Sequence, residues 1–99
     1  MTGMEVNTMN NHLYRICTEY RRASITRIKG LVGEHGFKGA TLLQGVGLWE
    51  GNEEDSLIIE IVARDSQAVS IGSLAAAIKK INHQEAVLIQ SVPITSLLV

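Results

Sequence analysis

The stretch Gly45-Val46-Gly47-Leu48-Trp49-Glu50-Gly51-Asn52-Glu53-Glu54-Asp55-Ser56 carries the residue types best suited to hold a small molecule. Glycines at 45, 47 and 51 let backbone approach a ligand or a neighbouring subunit closely. Trp49 offers a flat face for stacking. Glu53, Glu54 and Asp55 could receive a cationic or amine-bearing group through charge attraction. The competing reading is structural: a glycine-bulged hairpin with a solvated acidic tip. A dinucleotide-binding loop is not expected. The glycines fall inside a predicted strand, and no helix follows to hold a phosphate at its N-terminus.

The other reactive side chains are isolated. His12, His35 and His83 lie at the ends of predicted elements, without i, i+4 spacing and without a nearby cysteine, so no metal site and no cofactor are expected. Cys17, in mid-strand, reads as a small buried apolar residue, because no basic group is fixed beside it to draw out a thiolate. Ser24, Ser56 and Ser73 lack any recognisable activating context. Glu60 lies among Ile58, Ile59, Ile61 and Val62, where a carboxylate is costly unless paired. Arg15 and Arg64 are its candidate partners. Arg21, Arg22, Arg27 and Lys29 form a basic cluster that is either a solvated face or an attractor for a phosphate-bearing ligand.

These residues must be positioned by a small set of elements. Residues 1–11 are polar and asparagine-rich and read as a flexible lead-in, with no apolar run that could act as a signal peptide. Residues 12–99 read as one domain. Residues 12–20 alternate, with Tyr14, Ile16, Thr18 and Tyr20 on one side, which predicts a first strand. Ser24 can cap a helix carrying Ile25, Ile28, Leu31 and Val32 at helical spacing, and Gly36 sits where a glycine stop belongs. A second strand is predicted over 40–49, a polar turn over 51–55 and a third strand over 57–64. Leu57, Ile59, Ile61 and Ala63 then face one way, with Ile58, Glu60, Val62 and Arg64 facing the other. Asp65 or Ser66 caps a second helix whose apolar stripe is Ile71, Leu74, Ala75, Ile78 and Ile81. The last strand is predicted over 86–92, with Pro93 restricting the tail to an edge or an excursion.

Two helices alternating with four strands predict an α+β, ferredoxin-like β-α-β-β-α-β arrangement, an antiparallel four-stranded sheet with both helices on one face. The other face should be polar if it met water. Instead Ile58, Val62 and either Leu88 or its neighbours Val87 and Ile89 leave apolar side chains on both faces. The expectation is that a second subunit covers the uncovered face.

Bulk properties narrow the function classes. A net charge of −1 excludes a general basic field for a nucleic-acid backbone, so no nucleic-acid partner is expected. Basic residues gather in the first half and acidic ones in the second, a distribution that suits head-to-tail assembly. The single cysteine excludes an internal disulfide, and a reducing, cytoplasmic setting is the simplest home. No run approaches the ~20 apolar residues that span a bilayer, and no membrane partner is expected.

In the order of its elements the chain resembles the PII-like superfamily, which includes the PII signal proteins and the CutA group. The resemblance covers residues 12–96. It rests on topology, on Gly39-Ala40-Thr41 leading into the second strand and on the strand end Gly45-Val46-Gly47. It implies a homotrimer whose sheets face the threefold centre, with small ligands in clefts between subunits. The long loop that PII proteins place between strands two and three is reduced here to about residues 49–55, so control of a transporter or enzyme through that loop is not implied. A narrower resemblance is to small phage-type proteins. It is carried by Gly47-x-Trp49-x-Gly51-x-x-Glu54-x-Ser56 and by Gln84-Glu85-Ala86-Val87-Leu88-Ile89.

Three functions are therefore set side by side. The first is a trimeric module that binds or sequesters a nucleotide-like metabolite. Trp49 would stack on a ring, while Gly45 and Gly47 backbone, Glu54 or its competitor Glu53, and a neighbour's Arg21, Arg22 or Arg27 supply polar contacts. The second, implied by similarity to the phage S-adenosylmethionine lyases, is an intersubunit enzyme with Glu54 as the functional carboxylate. Those enzymes also use an aromatic hydroxyl, and the matching position here falls near Trp49, which has none. The third is a protein-binding adaptor without a small ligand.

Overall fold

The period-2 and period-3.6 patterns resolve into six principal elements in a computed structural model that describes residues 7–98, with side chains from 11 to 97. They are β1 (Asn7–Glu19), α1 (Ile25–Glu34), β2 (Thr41–Trp49), β3 (Asn52–Ala63), α2 (Ala68–Ile81) and β4 (Leu88–Leu98). A 3₁₀ turn introduces each helix, at Arg22–Ser24 and at Asp65–Gln67. The sheet order is β2-β3-β1-β4, with every neighbouring pair antiparallel. This is the ferredoxin-like arrangement expected from the element order.

The helices cover the face on which the alternation places the bulkiest residues. Ile16 of β1, Leu57, Ile59 and Ile61 of β3, Ile28 of α1, and Ile71, Leu74 and Ile78 of α2 are essentially sealed from solvent. Tyr14 is also buried there, and burial together with the negative charge of Asp65 pushes its phenol above the ordinary tyrosine range. Both helices end in Schellman motifs. In α1 the stop residue is Gly36, at φ +87°, and the N–H groups of Gly36 and Phe37 donate to the Gly33 and Val32 carbonyls. In α2 the equivalent residue is His83, at φ +51°, and the N–H groups of His83 and Gln84 donate to Lys80 and Lys79.

Three boundaries differ from the sequence expectation. β1 starts at Asn7 rather than at His12, because residues 7–11 pair with the tail of β4 and Asn11 is buried. Residues 1–6 of the expected flexible lead-in lie outside the described residues. β4 runs straight through Pro93, which its position on the sheet edge permits, since an edge strand keeps one side free of ladder bonds. The polar turn expected over 51–55 is not a loop. Trp49 and Asn52 are paired, and the turn is Glu50-Gly51 alone, with φ of +50° and +80°. Two successive positive φ values are the type I′ geometry that matches strand twist, and Gly51 occupies the second position at no steric cost. Glu53, Glu54 and Asp55 therefore belong to β3 and alternate in direction.

The uncovered face of the sheet carries rows of side chains set by register. Leu43, Ile58, Cys17 and Leu88 stand opposite one another across all four strands. Val62, Leu13 and Val92 form a second apolar row. Between them runs a polar row of Thr41, Glu60, Arg15 and Gln90, in which Arg15 Nε donates to Glu60 Oε2 at 2.8 Å. Arg15, and not Arg64, is thus the partner of Glu60. Leu88 stands on this face, Ile89 on the helix side beside Ile16, and Val87 packs against the core. Leu43, Val62, Leu88 and Val92 are each between 43% and 56% exposed. None of the described helices is long and apolar enough to cross a membrane.

Gly30 lies on the exposed side of α1, and nothing lies within 4 Å of where a Cβ would stand. Gly30→Ala is expected to stabilise the fold by about 0.5–1 kcal/mol through helix propensity alone. A higher denaturant midpoint with an unchanged m-value would show it.

Candidate functional site

Strands β2 and β3 outrun the helices at the hairpin end, and there the sheet meets the α2–β4 connection. On the helix side of this overhang, Val46 and Leu48 stand opposite Asp55 and Glu53 and remain 68% and 74% exposed. On the other side, Gly47 stands opposite Glu54, and Trp49 opposite Asn52. The alternation therefore sends Glu54 and Glu53 to opposite faces. A groove of about 640 Å³ opens here. Gly47, Trp49, Glu54 and Ser56 line it from the hairpin, Cys17 to Glu19 from the end of β1, and residues 83–88 from the α2–β4 connection.

Of the residues expected at a ligand site, the groove gathers Gly47, Trp49 and Glu54. Gly45, Glu53, Arg21, Arg22 and Arg27 do not line it. Arg21 instead binds Glu19, with Nη2 and Nε donating to Oε2 at 3.0 and 3.2 Å. Arg22 and Arg27 are exposed. Thr18, His83, Gln84 and Glu85 were not foreseen as lining residues. Gln84-Glu85 stands out in the sequence only as part of a similarity pattern.

The floor of the groove is held by a network that crosses from β1 to the end of α2. Asn82 is completely buried. Its Nδ2 donates to Thr18 Oγ1 and to the Glu19 carbonyl, both at 3.0 Å. Thr18 Oγ1 donates in turn to Gln84 Oε1, which also accepts the Glu19 N–H at 3.2 Å. Fixed main-chain chemistry orients both carboxamides. An N–H can only donate and a carbonyl can only accept, so the atoms facing them must be oxygen in Gln84 and nitrogen in Asn82.

The electrostatic balance of the lining is acidic. It contains Glu19, Glu54 and Glu85 but no lysine or arginine, and Glu19 is already paired to Arg21. Partial burial pushes the Cys17 thiol up, opposed only in part by the nearby Arg15 charge. Among the described residues no cluster of three His, Cys, Asp or Glu side chains is arranged to hold a metal ion.

A Cβ on Gly47 would stand 2.7 Å from Ser56 Oγ. Gly47→Ala should cost about 1 kcal/mol in denaturation experiments, and Ser56→Ala added to it should recover most of that loss. Because the fold favours the neutral thiol of Cys17, this stabilisation is complete below the ordinary cysteine pKa and fades as pH rises through the raised folded value. Accordingly, iodoacetamide should modify Cys17 at pH 8 several-fold more slowly in the native chain than in denaturant.

No protein-family profile matches the chain, and no curated protein matches it by sequence. Solved structures do match. CPII, a nitrogen regulatory PII-like protein from Thiomonas intermedia K12 bound to ADP, AMP and bicarbonate, superposes with a TM-score of 0.66 at 14% identity. That match covers 91% of this chain and 96% of CPII. A phage SAM lyase in complex with S-methyl-5′-thioadenosine gives a TM-score of 0.69 at 13% identity, over 89% of this chain and 88% of the lyase. On the strength of superposition and near-complete coverage, the chain has the fold shared by the PII-like proteins and the phage SAM lyase.

Proposed function

We propose that the chain is a PII-like homotrimeric protein that binds or sequesters a nucleotide-like metabolite in clefts between its subunits. The observation that carries this reading is the groove at the hairpin end. Its volume suits a nucleoside-sized ligand. It holds a stacking surface at Trp49, yet Trp49 remains 68% exposed, so one subunit leaves the ring only partly enclosed. Cys17 and Leu88 belong both to the groove and to the apolar row of the uncovered face. A subunit seated on that face would bury the row and close the groove in the same act. Both neighbouring structures support the ligand class, since ADP, AMP and S-methyl-5′-thioadenosine all carry adenine on a ribose-type sugar.

A second reading, a SAM lyase with its site between subunits, is favoured by the acidic lining. Glu54 and Glu85 without a lysine or arginine suit a ligand bearing a sulfonium and an amine better than a polyphosphate. In that reaction the substrate's own carboxylate oxygen forms the new bond to carbon. The carbon–sulfur bond breaks and its electron pair stays on sulfur, so no protein nucleophile and no proton acceptor are needed. The protein holds the amine, with Glu54 as the candidate carboxylate, and orients the chain for attack. Trp49 supplies no hydroxyl, which leaves this reading second.

Native mass spectrometry and calorimetric titration with AMP and S-methyl-5′-thioadenosine test the proposal. A trimer that binds either compound is the expected result, and Trp49→Ala should abolish binding while leaving the trimer intact. Turnover of S-adenosylmethionine by the same preparation would select the lyase. An empty trimer that binds neither compound would point to a protein-binding adaptor, and a monomer would overturn the intersubunit site.

A further inference from the structure

We propose that Thr18 and Asn82 are positioning residues that lock the Gln84 carboxamide in a single orientation, so that its Nε2 donates to an uncharged ring-nitrogen acceptor of the bound base. This inference rests on the nucleoside-binding reading and assigns the group that selects the base. Gln84 Oε1 is fully engaged by the Thr18 hydroxyl and the Glu19 N–H. Gln84 Nε2 makes no hydrogen bond to any described group, and it is not among the buried atoms left without a partner. That nitrogen is therefore not sealed from solvent, on a side chain that lines the groove.

The network has one direction. The Glu19 carbonyl obliges Asn82 to present its nitrogen, and that nitrogen also donates to Thr18 Oγ1. With a donor already directed at its oxygen, the Thr18 hydroxyl sends its own proton to Gln84 Oε1. A flip of the Gln84 amide would set its N–H against the Glu19 N–H and would force the Thr18 hydroxyl to accept from two amides at once, with its own proton left undirected. The free end of Gln84 is thereby a donor only. An unsupported glutamine presents either end and discriminates poorly, whereas this one rejects a donor on the ligand.

Capping α2 does not account for these side chains. The Schellman bonds from His83 and Gln84 to the α2 carbonyls are made by main chain alone. Asn82 is nevertheless wholly buried, with Oδ1 unpartnered among the described groups, an arrangement that burial of an apolar residue would have avoided. The lining also indicates which acceptor is read. Glu54 and Glu85 disfavour a phosphate or carboxylate oxygen close by. A planar carboxamide pairs best with an in-plane lone pair, the kind a purine ring nitrogen offers beside a stacking indole.

The test uses the full chain and four probes: adenosine and its 1-deaza, 3-deaza and 7-deaza analogues, in which one ring nitrogen becomes C–H. One analogue is expected to bind the wild-type chain about tenfold or more weakly than adenosine, because it leaves the Gln84 donor unpaired. Gln84→Glu keeps an oxygen for the Glu19 N–H but removes the donors, and should reduce that discrimination to within about twofold. Thr18→Val, which leaves only the Glu19 N–H to orient the amide, should reduce that discrimination in part, and Thr18→Ser should restore it, a pattern that loss of stability alone would not produce. Equal binding of all four probes by the wild-type chain overturns the proposal, as does discrimination that survives Gln84→Glu. Failure of adenosine, AMP and S-methyl-5′-thioadenosine alike to bind the wild-type chain overturns the nucleoside reading itself, and the assignment of Gln84 with it.

Discussion

Two helices can cover only one face of a four-stranded sheet, and the organisation of this protein follows from that limit. The alternation in β1 and β3 sends Tyr14, Ile16, Leu57, Ile59 and Ile61 toward α1 and α2, where their burial supplies the main favourable term in folding. The same strands carry Leu13, Ile58 and Val62 on the opposite face, which none of the described helices covers. A polar outer face is the ordinary solution for an antiparallel sheet in water. Here it is adopted in only one row, Thr41-Glu60-Arg15-Gln90, with apolar rows on either side. The Arg15–Glu60 pair gives that face a polar feature of fixed position. A covering surface would have to match it, so it can contribute specificity of docking more than affinity.

The groove is a second consequence of the same limit. The helices end before the β2–β3 hairpin does, so the hairpin projects with side chains exposed on both of its faces. With the start of β1 and the tail of β4 paired beyond β3 at the opposite end, the longest axis is 55 Å against 29 and 21 Å across. The α2–β4 connection must pass this projecting end to reach the sheet edge. Its sharp return at His83, in the left-handed region, directs Gln84 back onto the end of β1. Trp49 and Gln84, far apart in sequence, thereby come to line one concavity.

Much of the fold was legible because its signals are local. Strict alternation over 57–63 determined both faces of β3, and the spacing of Ile71, Leu74, Ala75 and Ile78 marked the buried stripe of α2. Gly36 was recognisable as a helix stop because few other residues adopt its φ without strain. Errors arose where a partner strand overruled composition. Asn-rich residues 7–11 and acidic residues 53–55 look like loop, yet each segment is held extended by a neighbouring strand that satisfies its backbone.

The site was legible in part for the same reason. Trp49, Gly47 and Glu54 lie within one short segment, and a type I′ hairpin keeps alternate residues of such a segment together on one side. Sequence by itself determined the element order, the two-faced apolar character of the sheet and the presence of a stacking residue beside glycine and carboxylate. Only the tertiary structure decided which carboxylate faces the groove, that Arg15 neutralises Glu60, and that Thr18, Asn82 and Gln84 form one hydrogen-bonded unit. Periodicity along a chain states which residues share a face. Which groups from distant segments share a hydrogen bond depends on register and on the path of connections, and these are settled only when all the strands are paired at once.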